Sequence, residues 1–180
     1  MTRVALASAA ILWFAAILIA PFAIDSTHAA TATGAACVYA TGSFVCHQRP
    51  ERSFSLGGRQ MPVCARCAGL YAAAAAFAFG FGATWAARGW RAGGTKSALP
   101  VRFGGIGPVT AARARWVGAA AALPTIVTWL VEYLGLVPLS NTIRFVAALP
   151  LGAAVTWLLL GVLGAPRVGA VSRRGLHKVE

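Results

Sequence analysis

Four stretches of this chain are apolar over a length that can cross a bilayer, and nothing else in the sequence restricts its fold as strongly. About 20 predominantly apolar residues make a transmembrane helix. The stretches are "VALASAAILWFAAILIAPFAI" (4–24), "AGLYAAAAAFAFGFGATWAA" (68–87), "VGAAAALPTIVTWLVEYLGLV" (117–137) and "IRFVAALPLGAAVTWLLLGVLG" (143–164). Their apolar residues form blocks rather than amphipathic stripes, so a soluble core is the poorer reading. The expectation is all-α: a four-transmembrane-helix bundle in a single integral membrane domain over residues 1–180.

Charge sets the orientation. The formal net charge is +12, with only four acids: Asp25, Glu51, Glu132 and Glu180. No nucleic-acid-binding pattern accompanies the basic residues. Most of them flank the apolar blocks, where they meet the anionic headgroups of a lipid bilayer. With four spans both termini share a side. Arg3, the basic loop 88–115 and the C-terminal tail then hold eleven of the sixteen Lys and Arg, against Arg49, Arg52, Arg59, Arg66 and Arg144 opposite. The positive-inside rule predicts a multi-pass protein of the cell (inner) membrane with both termini cytoplasmic and the 25–67 loop outside. Residues 1–30 also resemble a cleavable signal. The apolar run is longer than a signal core, which favours a retained helix, and the loop ends outside in either case.

The 25–67 segment reads as an irregular loop. It carries Gly34, Gly42, Gly57, Gly58, Pro50, Pro62 and many Ser and Thr, and Pro50 and the paired glycines argue against a long helix there. "SFSLGGRQMPV" suits a short hairpin, and Pro62 just before "CARC" places that motif at the first turn of the second span. The 88–115 loop is basic and Gly-rich. Its "GGIG" lacks the strand and the Gly-Lys-Ser/Thr of a phosphate loop, so a cytoplasmic linker is expected. Only "PLSN" joins the third and fourth spans, which makes them an antiparallel hairpin. Ala72, Ala76, Gly80 and Gly152 are small enough for close helix packing.

All four cysteines, Cys37, Cys46, Cys64 and Cys67, lie in the 25–67 loop, with His47 beside Cys46. Three chemistries fit them. A Cys-x-x-Cys knuckle with a remote Cys-His arm suits a tetrahedral metal site. A CxxC at a helix N-terminus, with Arg66 inside it, suits thiol redox, Cys37 and Cys46 forming a second pair. Two disulfides stapling the loop need no turnover at all. Arg49, Arg52 and Arg66 crowd a loop whose only nearby acid is Glu51. They suit a lipid phosphate, a carboxylate or a quinone oxygen, although Arg66 could equally snorkel to the interface. Glu132 is the one acid inside a span. A carboxyl there is costly unless interfacial or paired, and Arg144, across the hairpin, is its geometric partner.

"CHQRPERSF" (46–54), "PVCARCAGLY" (62–71) and "SNTIR" (140–144) resemble the bacterial and archaeal membrane proteins of the domain of unknown function 2085, over roughly residues 40–160. The resemblance implies that Cys46, His47, Pro50, Arg52, Ser53, Pro62, Cys64, Arg66, Cys67, Gly69 and Tyr71 are signature positions, with Ser140, Asn141 and Arg144 weaker ones. Cys37 falls outside the motif, and the shared Cys46, His47, Cys64 and Cys67 fit a metal better than two disulfides. The chain departs from the pattern in two places. An Asp-Gly is expected after the proline of the third span, where Thr128 and Trp129 follow Pro124, and Glu132 stands where the family tends to have Gln.

The leading expectation is a loop binding zinc or another thiophilic metal through Cys46, His47, Cys64 and Cys67. Arg49, Arg52 and Arg66 face an anionic lipid, quinone or other anionic ligand, over an intramembrane Glu132 and Arg144. A membrane thiol-disulfide or quinone-linked oxidoreductase is the alternative. A structural membrane subunit with a disulfide-stapled loop is the third.

Overall fold

The computed structural model describes residues 2–91 and 110–162. Five helices make up nearly all of it: α1 (Thr2–Ala23), α2 (Ala29–Val45), α3 (Ala65–Arg91), α4 (Ala111–Tyr133) and α5 (Asn141–Val162). Between α2 and α3 come a 3₁₀ turn at Pro50–Arg52 and two antiparallel strands, β1 (Ser55–Leu56) and β2 (Arg59–Gln60). Helices α1, α3, α4 and α5 are long and apolar enough to cross a bilayer. Most of the expected 88–115 loop and the tail from residue 163 lie outside the described residues.

The four spans correspond to the four apolar blocks, with shifted ends. Helix α4 begins at Ala111, six residues before the apolar block, because the Thr110 side chain accepts from the Arg113 backbone N–H at 3.3 Å and caps the helix. It stops at Tyr133, four residues short of the expected end. Gly135 adopts φ +67°, its N–H bonds to the Glu132 carbonyl, and the Leu136 N–H bonds to the Val131 carbonyl. That pair of bonds is the Schellman stop, and its left-handed residue is naturally glycine.

The 25–67 segment differs from the expected loop, for it holds the 17-residue helix α2. Its first half is rich in alanine, the best helix former, and Pro50, Gly57 and Gly58 all fall beyond its end. Gly42 lies within it because the helix runs against the Pro62 carbonyl, where a Cβ would collide. The expected hairpin is present: Ser55 faces Gln60 and Leu56 faces Arg59. Gly57 and Gly58 turn between them, both at positive φ as a type I′ turn requires.

Helices α3 and α5 make the most extensive contact in the bundle, α1 packs on α3, and α4 packs on α5. The α3–α5 seam is glycine against backbone: Gly69 meets the Phe145 carbonyl and Gly152 meets the Leu70 carbonyl, so neither position has room for a side chain. Gly152 thus fulfils its expected role, whereas Gly80 faces open space. Trp13 of α1 meets Tyr71 of α3 edge-on at 6.1 Å. Helix α4 has no buried residue, and Leu123, Ile126 and Leu130 are exposed along it. Such a surface suits lipid and not water.

The C-terminal ends of α1 and α4 and the N-terminal ends of α3 and α5 meet the 46–64 segment at one end of the bundle. There Ile17, Cys46, Met61, Val63 and Ala68 form a buried cluster, with Phe54 packed on Phe145 at 5.9 Å. This cap carries the chemistry.

Candidate metal and anion site

Two chain segments bring three sulfurs together. Cys46 ends α2 in an extended conformation, φ −144° and ψ 135°, and its side chain is buried. Cys64 immediately precedes α3, and Cys67 lies in its first turn, as expected for "CARC". The Cys64 backbone N–H donates to Cys46 Sγ at 3.1 Å, which locks the two segments in register. The Sγ atoms of Cys46, Cys64 and Cys67 all lie within 4.8 Å of one another. Thiolates on a tetrahedral zinc are roughly 3.7 Å apart, so a small contraction would seat an ion.

Cys64 is poised to give up its proton. Its pKa is lowered to about 5, first by a hydrogen bond from the Cys67 thiol. The backbone N–H groups of Cys67 and Arg66, and the Cys46 thiol, add to this, while burial opposes it. These are the open N–H groups of a helix N-terminus, which favour an anion.

His47 is not brought into the set. Neighbouring side chains on an extended backbone point to opposite sides, so a buried Cys46 turns His47 outward, where it is exposed. Cys37 is exposed on α2 and also stands outside the set. All four cysteines are free thiols, so a disulfide staple, the third of the three readings, is not what holds the cap. Side-chain amides hold it instead. Gln48 Nε2 donates to the carbonyls of Tyr39 and Pro62, each at 2.7 Å. Gln60 Nε2 donates to the Gln48 carbonyl, and the Tyr39 hydroxyl to the Gln60 carbonyl. Gln48 sits at φ +48°, the one non-glycine residue at positive φ among the described residues. Two amide bonds and a left-handed backbone make it the corner on which the cap turns.

Beside the sulfurs lies a cavity of about 400 Å³. Arg49, Arg52, Arg66 and Arg144 line it, with Cys46, Cys64, Cys67, His47 and, on the α4 side, Trp129. The expected Glu132–Arg144 pair forms, at 2.5 Å. It is half of a larger unit that the sequence reading missed, because Arg66 Nη2 also meets Glu132, at 2.5 Å. The carboxylate is 7% exposed, Arg144 10% and Arg66 15%, so this is a buried ionic triad and not a snorkelling surface pair. It ties α3, α4 and α5 together. Arg144 Nη1 also bonds Asn141 Oδ1 at 2.6 Å and the Glu51 carbonyl at 3.3 Å, and Asn141 Nδ2 donates to the Ser53 carbonyl at 2.9 Å. "SNTIR" therefore anchors "CHQRPERSF" to α5. Arg49 reaches only the exposed Glu51, at 3.9 Å.

The chain belongs to the DUF2085 family of predicted membrane proteins, whose family model matches residues 46–158. A protein of Methanocaldococcus jannaschii, described as uncharacterised, is 57% identical over 35 residues, 19% of this chain and 22% of that protein. Another, from Methanothermobacter thermautotrophicus, is 28% identical over 116 residues, 64% of this chain and 84% of its own length. The chain thus spans less than a quarter of the first relative and most of the second. No solved structure matches it.

Proposed function

We propose that this DUF2085 protein binds a thiophilic metal ion, zinc foremost, at Cys46, Cys64 and Cys67, and that the adjoining arginines hold an anionic or lipidic ligand beside it. The convergence of three sulfurs within 4.8 Å, from segments eighteen residues apart, carries the reading. Three protein ligands leave a fourth position on a tetrahedral ion, the arrangement of zinc sites that engage a ligand. His47, exposed at the rim of the same cavity, would have to turn from its present outward position to fill it. The Lys and Arg distribution supports an inner-membrane protein with both termini cytoplasmic and the cap outside.

Metal and thiol counting on the protein purified in detergent tests the proposal. One ion per chain is expected, lost in Cys64→Ser and kept in Cys37→Ser. His47→Ala keeps it if the fourth position belongs to a ligand. A metal-free protein from metal-replete cells, with two fewer reactive thiols than its four cysteines supply, would point to the second reading instead: a thiol-disulfide or quinone-linked oxidoreductase. The favoured Cys64 thiolate at the head of α3 speaks for that chemistry. The distance of Cys37 from the set speaks against a relay through a second pair.

A further inference from the structure

We infer that the cavity takes a phosphate dianion, either free phosphate or the monoester headgroup of a lipid. The inference rests on the arginine-lined cavity of the reading above and names the class of its ligand.

The first argument counts donors. Every nitrogen of Arg144 already has a protein acceptor: Nε and Nη2 face Glu132, and Nη1 faces Asn141 and the Glu51 carbonyl. Arg144 is thus a positioning residue. Arg66 gives Nη2 to Glu132, but its Nε is buried with no hydrogen-bond partner. That nitrogen has no solvent access and so does not open on the cavity, but Arg66 Nη1 also carries no hydrogen bond among the described residues. The Arg52 side chain lines the cavity and has neither a hydrogen bond nor an ion pair among the described residues. Arg49 meets only the exposed Glu51, at 3.9 Å. Arg49 and Arg52 flank Pro50 in a 3₁₀ turn, which directs two guanidinium groups from one short, rigid segment. Free donors therefore remain on Arg49, Arg52 and Arg66.

The second argument counts charge. Four arginines line the cavity, Glu132 offsets one and Glu51, paired with Arg49, a second, leaving an excess of two positive charges. Three thiolates around a divalent ion would contribute a net −1 and lower the excess to one. A quinone oxygen would leave the excess untouched, and a carboxylate offers two acceptor oxygens to three arginines. A phosphate monoester carries about −1.5 to −2 at neutral pH and accepts arginine in bidentate fashion. Its three acceptor oxygens match donors on three arginines, which neither of the other ligands does.

The cavity, at about 400 Å³, is several times the size of a phosphate group and leaves room for an ester substituent. Trp129 on its wall stacks on Tyr133 at 5.2 Å, and both side chains are exposed on α4, the helix that faces lipid. An alkyl ester could leave the cavity along that side.

Two probes test the inference on the full chain, with bound metal counted on the same samples. One is radiolabelled inorganic phosphate, by equilibrium dialysis in phosphate-free micelles. The other is phosphatidic acid, a monoester, doped into phosphatidylcholine nanodiscs and read by native mass spectrometry. Saturable binding of at least one is expected, weakened about tenfold or more by Arg52→Gln, with little competition from acetate or oleate. An unchanged melting temperature for Arg52→Gln certifies its fold. Arg49→Gln serves in its place should that variant not accumulate. Binding of the lipid alone identifies a headgroup site, and binding of both shows that the phosphate suffices. Full metal occupancy with neither probe bound overturns the inference and leaves the metal reading standing. Phosphate binding by metal-free protein does the reverse. Equal binding of oleate, or wild-type affinity in both arginine variants, also overturns it.

Discussion

Helices α3 and α4 each deliver a charged side chain to the same ionic triad, but they are held in the molecule by different means. Helix α3 lies between α1 and α5. Ala65 and Ala68 are buried on it, and Gly69 touches the α5 backbone. Helix α4 buries the Glu132 side chain but no whole residue, and its packing on α5 includes polar contacts at two points: Thr125 Oγ1 to the Ala147 carbonyl at 2.8 Å, and Glu132 to Arg144. Lipid tails are as apolar as leucine, so burial alone does not drive helices together in a membrane. What remains is close packing or polar pairing. Helix α3 uses the first, where Gly69 and Leu70 meet α5, and α4 adds the second to its packing on α5.

The largest effect that contrast predicts is from Glu132→Leu. Removing one partner of a buried ionic cluster costs about 3–5 kcal/mol, and here it strands two arginines side by side. Hydrogen exchange should show α4 losing protection while α3 retains most of its own. Equal protection of α4 in the variant would mean that it is not held by charge, and the contrast would collapse. Replacing the whole triad, as Arg66→Met, Glu132→Leu and Arg144→Met together, should recover much of the loss. Gly152→Val comes next. Its side chain would be driven into the Leu70 backbone, at about 1–3 kcal/mol, and should lower the melting temperature by loosening α3 from α5. Gly80→Ala, facing open space, is the matched control and should leave it unchanged or slightly raised. Thr125→Val is the smallest, roughly 0.6–1 kcal/mol for one interhelical hydrogen bond, detectable as faster exchange confined to α4.

What was legible in the sequence followed the same division. Apolar length located α1, α3, α4 and α5, because span length is set by the bilayer and needs no tertiary information. The hairpin at Gly57–Gly58, the position of "CARC" and the Glu132–Arg144 pair were legible too, since each depends on residues close in sequence or facing each other across a short turn. Helix α2 was missed because Gly34, Gly42 and its Ser and Thr residues were read as loop-forming. Its alanines were the available sign, and Gly42 answers to a contact with Pro62 that no local pattern records. The Arg66–Glu132 contact spans sixty-six residues and two helix ends, so nothing local announces it. His47 illustrates the opposite failure. Its adjacency to Cys46 made it look like part of one arm, yet in an extended segment adjacency is what sends the two side chains apart.

The buried triad has a further consequence for how the chain is made. Its members occur along the chain in alternating sign: Arg66, then Glu132, then Arg144. A membrane protein is threaded into the bilayer from its N-terminus, so each charge after the first arrives to find an opposite one already in place. Glu132 comes with a span that buries no whole residue, and Arg66 is there to receive it. Arg144 then enters on the last helix and brings with it the anchor for the cap. The order of synthesis and the order in which the two ion pairs can form coincide, and the cap gains its anchor to α5 last.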